Sequence, residues 1–252
     1  MPERFFIDAD ISMTSGVVIE GALGRHLSRS LRLRPGEAIV IVDGAGREHG
    51  VRLRSVVAGR VEGDVTWSRE ATGEPRLRIT VIQALPRERM DDCIDVLVEA
   101  GAAEVRPVIT ERVVSRPSPD RIPQRLARWR AVATESAQLA GRGMVPQVHP
   151  PTTLVDALTG LAATTRVIAC TFDGATSIAD LDVDPGPPLA LCIGPEGGFG
   201  DHDHEVLRAA GAEGVHLGER VLRTRYAGAI ACELILARSG DLGTGPRTAP
   251  PA

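Results

Sequence analysis

Lysine is absent from the 252-residue chain: all 29 basic side chains are arginine. GC-rich coding would produce that bias by itself, although a guanidinium also suits phosphate and base contacts. Excess positive charge is missing too. The net charge of −4 excludes any global electrostatic signature of nucleic-acid binding. There is no apolar run long enough to cross a membrane, and Met1-Pro2-Glu3-Arg4-Phe5-Phe6 lacks the apolar core of a signal peptide. A cytoplasmic protein without membrane contact is therefore expected. The four cysteines, Cys93, Cys170, Cys192 and Cys232, form no C-x-x-C pair and lie in apolar contexts. They read as small buried side chains and not as disulfides or metal ligands. No internal repeat is present.

What is there divides into two halves of different texture. Residues 1–70 carry short β-type runs, Ala38–Val42, Gly50–Val57 and Gly63–Trp67, punctuated by Pro35-Gly36, Asp43-Gly44 and Gly59. A small β-barrel is expected there. Ahead of these runs lies Arg25-His26-Leu27-Ser28-Arg29-Ser30-Leu31-Arg32-Leu33-Arg34. It is either a solvated helix face or a phosphate-contacting patch. Residues 71–78 read as a linker. From 79 to 242 strand and helix patterns alternate, as in a parallel sheet covered by helices. Strands are expected near 78–85, 105–109, 166–170, 189–193 and 215–217, and helices near 90–100, 124–140 and 153–158. The Gly/Pro/Thr/Ala-rich tail, 243–252, is expected to be disordered.

The most informative part of the chain is Leu191-Cys192-Ile193-Gly194-Pro195-Glu196-Gly197-Gly198-Phe199-Gly200. An apolar strand breaks into a loop with three glycines in five residues, and a helical pattern opens at Asp201. Glu196 stands where a dinucleotide fingerprint needs its second glycine, and no P-loop lysine follows. A second loop, Leu217-Gly218-Glu219-Arg220-Val221-Leu222-Arg223-Thr224, again joins a short strand to an apolar helix. Two such loops close in sequence are either ordinary strand-to-helix turns or one site at the carboxyl ends of parallel strands. Asp201-His202-Asp203-His204-Glu205 offers many metal-type ligands, but acidic residues are favoured in a first helical turn and adjacent helical positions diverge. No metal is expected.

Together, I-G-P-E-G-G-F and L-G-x-R-V-L-R-T resemble the SPOUT methyltransferases, and within them the bacterial family that methylates N3 of one uridine in 16S ribosomal RNA. The resemblance runs from about Phe5 to Leu242. It implies an α/β fold: a trefoil-knotted parallel-sheet methyltransferase domain preceded by a small PUA-like β-barrel. It also implies S-adenosyl-L-methionine as cofactor, lined by Ile193, Gly194, Glu196, Gly197 and Gly198, by Leu217, Gly218, Leu222 and Thr224, and by Thr171 and Phe172 as a third wall. For His26 and its neighbours Arg25, Arg29, Arg32 and Arg34 it favours RNA contact. Methylation of a uridine N3 calls for stabilised negative charge, for which Arg223 is the first candidate and Arg142 the second. A structural ion pair is the competing role for Arg223. The partners implied are 16S ribosomal RNA or the small ribosomal subunit, and a second copy of the chain packed through the apolar helix at Ala227–Ile235.

Three departures from the family pattern stand out. Arg225-Tyr226 replaces the usual Glu-Thr, Asp95-Val96 a Gln-Lys pair, and Gln138-Leu139 a Glu-Gln pair. They leave open an enzyme redirected to another RNA or a small nucleobase-like metabolite, and a non-catalytic binding paralogue. Asp95 and Arg225 are expected to exchange the family's polarity across a single contact, which would preserve the ribosomal role.

Overall fold

Alternating apolar residues in the first half pair into a curled five-stranded sheet. The computed structural model describes residues 4–7, 16–87 and 89–242; the 243–252 tail expected to be disordered lies outside them. The chain forms two units, one drawn from residues up to Glu74 together with Ala137–Val145, the other from Pro75–Ser136 and the residues from Pro146 onward.

In the first unit the elements are β1 (Arg4–Phe6), β2 (Val17–Ile19), the short helix α1 (Gly21–Arg25), β3 (Ala38–Val42), β4 (Arg47–Val57) and β5 (Arg60–Glu70). The sheet order is β1-β3-β4-β5-β2, with β1 parallel to β3 and the remaining pairs antiparallel. Two register shifts between β4 and β5 mark bulges that curl the sheet. Its inner face gathers Phe5, Ile19, Leu27, Ile39, Ile41, Val51, Leu53 and Val61. Leu27 comes from the arginine-rich segment, which continues α1 as one π-helical turn, His26–Ser30.

The turn that follows α3, residues 141–145, is pinned within this unit. Glu74 accepts from Arg142 Nη2 at 2.7 Å, from Gly143 N at 2.9 Å and from Met144 N at 3.0 Å. Glu74 itself falls inside the segment read as a linker.

The second unit is a sheet of eight strands in which every pairing is parallel. Its elements are β6 (Ile79–Ala84), α2 (Met90–Glu99), β7 (Glu104–Ile109), α3 (Ile122–Ala140), β8 (Gln147–Val148), β9 (Thr152–Thr153), α4 (Leu154–Thr159), β10 (Arg166–Cys170), β11 (Thr176–Ser177), β12 (Leu189–Ile193), α5 (Asp201–Ala209), β13 (Glu213–His216) and α6 (Thr224–Arg238). The last turn of α3 counts with the first unit. Strand order is β11-β13-β10-β12-β6-β7-β8, with β9 beside β7. Strand β12, buried at all five positions, lies between β10 and β6. That explains its unbroken apolar run.

Met90, Cys93, Ile94, Leu97 and Val98, spaced at three and four residues along α2, are buried as a set. On α3, Trp129, Ala133 and Ser136 are likewise buried. The helix starts at Ile122, two residues before the expected Gln124, because Pro123 fits a first turn, where no N–H is needed. Thr153 caps α4, its hydroxyl accepting from Asp156 N. The two-residue strands β8, β9 and β11 were not visible in the sequence, being too short for a period to show.

Glu74 serves a guanidinium that is only 3% exposed, so removing it strands buried charge and two backbone donors. Glu74→Ala is expected to destabilise the first unit by about 3 kcal/mol, read as a lower denaturant midpoint. Glu74→Gln, which keeps an acceptor, should lose less.

Candidate active site

Strands β13, β10 and β12 are neighbours and parallel, so the loops after them open at one edge of the sheet. After β10 come Thr171, Phe172 and Asp173; after β12, Gly194–Gly200; after β13, Leu217–Arg223. Together with the start of α6 they enclose a cavity of about 280 Å³. Its size is at the lower edge of small-molecule sites, roughly 300–1,000 Å³. All eleven residues expected at the cofactor line it: Thr171, Phe172, Ile193, Gly194, Glu196, Gly197, Gly198, Leu217, Gly218, Leu222 and Thr224.

The loops are bound to one another. Thr224 Oγ1 donates to Gly194 O at 2.7 Å, which ties the start of α6 to the loop after β12. Thr171 N donates to Val215 O at 2.9 Å, joining the loop after β10 to β13. Glu196 accepts from Arg87 N with both carboxylate oxygens, at 3.0 and 3.1 Å, and so anchors its loop to the one after β6. Gly198 and Gly218 have φ of +70° and +94°, left-handed conformations that a side chain would strain. Around Gly218 a Cβ would meet nothing within 4 Å, so its lack of a side chain leaves open space there.

Sequence reasoning missed five charged or ionisable lining residues: Arg112, Asp173, Asp201, His204 and Arg220. Arg112 follows β7 at the same edge of the sheet, and its Nη1 donates to Gly197 O at 2.9 Å. The D-H-D-H-E run divides by direction. Asp201 and His204 turn to the cavity, while buried Asp203 accepts from Gly200 N at 2.9 Å and Glu111 N at 3.1 Å. His202 and Glu205 form an exposed pair at 3.8 Å. Among the described residues no three His, Cys, Asp or Glu side chains gather to hold a metal ion.

Cys170 also lines the cavity, but burial, with Cys192 close by, pushes its thiol far up. Burial likewise raises the Cys192 thiol to about 12. Both stay protonated at neutral pH, so neither supplies a thiolate nucleophile.

The two catalytic candidates fall in different places. Arg223 is exposed and lines a cleft of about 140 Å³ with Pro86, Arg89, Cys93, Glu196, Thr224 and Arg225. Glu196 and Thr224 are shared with the main cavity. Arg223 forms no ion pair among the described residues, contrary to the structural role that competed for it. Arg142 is buried in the first unit against Glu74, an arrangement that leaves it holding a turn. Arg25, His26, Arg29, Arg32 and Arg34 are all exposed on the segment that Leu27 anchors. None of these four arginines has a carboxylate partner among the described residues. Arg32 has φ +54°, the one non-glycine there in the left-handed region, a conformation costing about 1–2 kcal/mol.

Residues 73–236 match the RNA methyltransferase domain family, and residues 19–57 match the RNA methyltransferase PUA domain. The ribosomal RNA small subunit methyltransferase E of Mycobacterium bovis is 32% identical over 234 residues, 90% of this chain and 88% of that protein. The chain belongs to this RNA methyltransferase family. Among solved structures, the ribosomal RNA small subunit methyltransferase E of Neisseria gonorrhoeae, bound to S-adenosyl methionine, is similar with a TM-score of 0.86 at 30% identity. It covers 94% of this chain and 98% of its own. A Legionella pneumophila methyltransferase in complex with the same cofactor gives 0.84 at 26% identity, again covering 94% and 98%. The α/β fold with an all-parallel sheet and a PUA-like N-terminal domain is thus the family's.

The expected exchange between Asp95 and Arg225 is not how these residues are arranged. Asp95 Oδ1 accepts from Ser136 Oγ at 2.5 Å, while Arg225 Nη1 meets Asp92 Oδ2 at 3.5 Å. Three residues along α2 turn a side chain by roughly 60°, so Asp92 faces the start of α6 and Asp95 faces α3. Arg225 also lies over the Tyr226 ring at 4.5 Å. A double-mutant cycle on Asp92 and Arg225 measures this pair. With both side chains about a third exposed, the coupling expected is about 0.5–1 kcal/mol. Arg225→Glu should lose stability in a denaturant titration, and Asp92→Arg in the same chain should recover it. Purely additive losses would show that the pair does not interact.

Proposed function

We propose that this chain is an S-adenosyl-L-methionine-dependent methyltransferase that methylates N3 of a uridine in 16S ribosomal RNA, acting in the cytoplasm as a homodimer. The observation that carries the reading is the convergence of all eleven expected cofactor residues on one cavity at the carboxyl edge of a parallel sheet. Family membership and cofactor-bound relatives of the same fold support it. So do the residues themselves. Phe172, Leu217, Leu222 and Ile193 offer apolar walls for a purine, and the glycine loops bring backbone groups within reach of its edges. The two domains proposed are residues 1–70 and 79–242 joined by 71–78, except that 137–145 count with the first, and the trefoil knot is the one the family resemblance implies.

Bound in this cavity, the cofactor supplies an electrophilic methyl group on a sulfonium. Loss of the N3 proton to solvent would leave negative charge on the acceptor base, which the residues around the cleft must hold. Arg223, in the cleft adjoining Thr224, is positioned to lay positive charge against a uracil carbonyl oxygen, where the lost proton leaves negative charge. Glu196 holds the wall between cleft and cavity through Arg87 N. Arg142 drops out of the scheme because Glu74 already neutralises it within the first unit. Arg25, His26, Arg29, Arg32 and Arg34 would meet phosphates, their guanidiniums having no internal carboxylate to release.

A redirected acceptor loses its main motive in this arrangement. The reversed charge at Arg225 is answered inside the chain by Asp92, so it does not require a new anionic substrate. The homodimer reading is supported by α6, whose Tyr226 and Ile230 are 40% and 38% exposed one turn apart. Static light scattering at micromolar concentration should give twice the chain mass; a monomer would refute the dimer.

Titration calorimetry should show S-adenosyl-L-methionine binding that Gly198→Val abolishes, through the left-handed backbone and the cavity volume together. Normal binding by that variant would misplace the site. Arg223→Ala should lower kcat on small ribosomal subunits by about 100-fold, the order seen when one transition-state charge donor is removed, with cofactor affinity kept. Mass spectrometry of 16S nucleosides from a deletion strain should lack one N3-methyluridine; its persistence would end the ribosomal assignment.

A further inference from the structure

The arginines of the second unit are unevenly sorted. From Arg112 to Arg130 six arginines face one carboxylate, Asp120, in a chain whose net charge is −4. Arg116, Arg121 and Arg125 are exposed and have no carboxylate partner among the described residues. Between this segment and the loop after β6 lies an open groove of about 770 Å³, larger than the cofactor cavity. Arg87 and Arg89 line it from one side, Ser115, Arg125 and Arg128 from the other.

One carboxylate organises the groove. Asp91, 9% exposed, holds Arg128 Nη2 at 2.9 Å and Arg89 Nη2 at 3.0 Å, and so fixes guanidiniums from two separate elements. Arg87 and Arg125 keep their charge unneutralised. The groove is also continuous with the site. It shares Pro86 and Arg89 with the cleft that holds Arg223, and that cleft shares Glu196 and Thr224 with the cofactor cavity.

We infer that this groove is a second RNA-binding surface, which seats the phosphodiester backbone flanking the acceptor nucleotide while the base enters the Arg223 cleft. The inference rests on the methyltransferase reading for the position of the base. For the strand it rests on the groove alone. An open, polar, arginine-lined channel suits a chain of phosphates and is too wet to hold an apolar ligand. Its fixed pair, Arg89 and Arg128, gives register, and the unpaired Arg87 and Arg125 give attraction. Asp91 acts here as a positioning residue.

The test is fluorescence anisotropy with a labelled single-stranded oligouridylate across a salt series, without cofactor, on the full chain. The variants are Arg125→Gln with Arg128→Gln, both lining the groove, and as a control Arg78→Gln, an exposed arginine that lines a different pocket at the opposite, amino-terminal end of β6. The double variant should bind at least 10-fold more weakly, and its log K against log salt should flatten by about 0.7 per arginine. Cofactor affinity and oligomeric mass should match the wild type, which shows that the fold is intact. On small ribosomal subunits KM should rise with kcat held. An unchanged salt slope would overturn the inference. So would an equal loss in Arg78→Gln, which would indicate general charge steering, or displacement by polyglutamate as effective as by oligouridylate, which would indicate any acidic ligand. Because binding is read without methyl transfer, a wild-type protein that fails to transfer methyl groups would refute the functional reading and leave the groove to be decided by its own slope.

Discussion

The parallel register of β10 with β12 and of β10 with β13 is the constraint on which the site depends. Parallel strands end at a common edge, so every loop that leaves their carboxyl ends opens on the same side. Cys170 pairs with Ile193 on one neighbour and with Val215 on the other. The residues that follow these three positions are Thr171, Gly194 and His216, and with the loops they begin, the cavity is formed. A shift in either register would carry one wall away from the other two. The bond from Thr224 to Gly194 O then secures α6 to the arrangement.

Charge is handled locally. A net charge of −4 on a chain read as binding RNA is reconciled by where the carboxylates go. Several are held as partners to structural arginines: Glu74 to Arg142, Asp91 to Arg89 and Arg128, Asp92 to Arg225, Glu213 to Arg166. Other carboxylates cap backbone donors, as Asp203 does at the start of α5. Among the arginines left without such partners are those exposed at 25–34 and 116–125, together with Arg87 and Arg223. Local excess, and not net charge, is the quantity that bears on a polyanion within a Debye length of about 8–10 Å.

The departures at 95–96 and 225–226 show how a sequence difference can mislead when it is taken pair by pair. Asp95 gains a negative charge beside a position usually bearing lysine and Arg225 reverses a glutamate, which suggests that the two compensate each other. Helical geometry directs Asp95 to Ser136 and gives Asp92 to Arg225. Asp92 carries no signal of this contact in the sequence, because an acidic residue is ordinary in a first helical turn.

By itself the sequence determined the alternation of elements, the five main strands of the second unit and the two glycine loops. Periodicity and loop motifs are local, and local patterns survive in one dimension. The family resemblance added the eleven residues expected at the cofactor, Thr171 and Phe172 of the third wall among them. Tertiary structure alone decided which strands are neighbours, that Ala137–Val145 joins the first unit through Glu74, and that Arg142 is bound up there while Arg223 is not. It alone brought Arg112, Asp173, Asp201, His204 and Arg220 to the cavity. Each of these depends on contacts between residues tens of positions apart, which no repeat or spacing records. The direction of a side chain across such a contact is set by the packing of the elements that carry it.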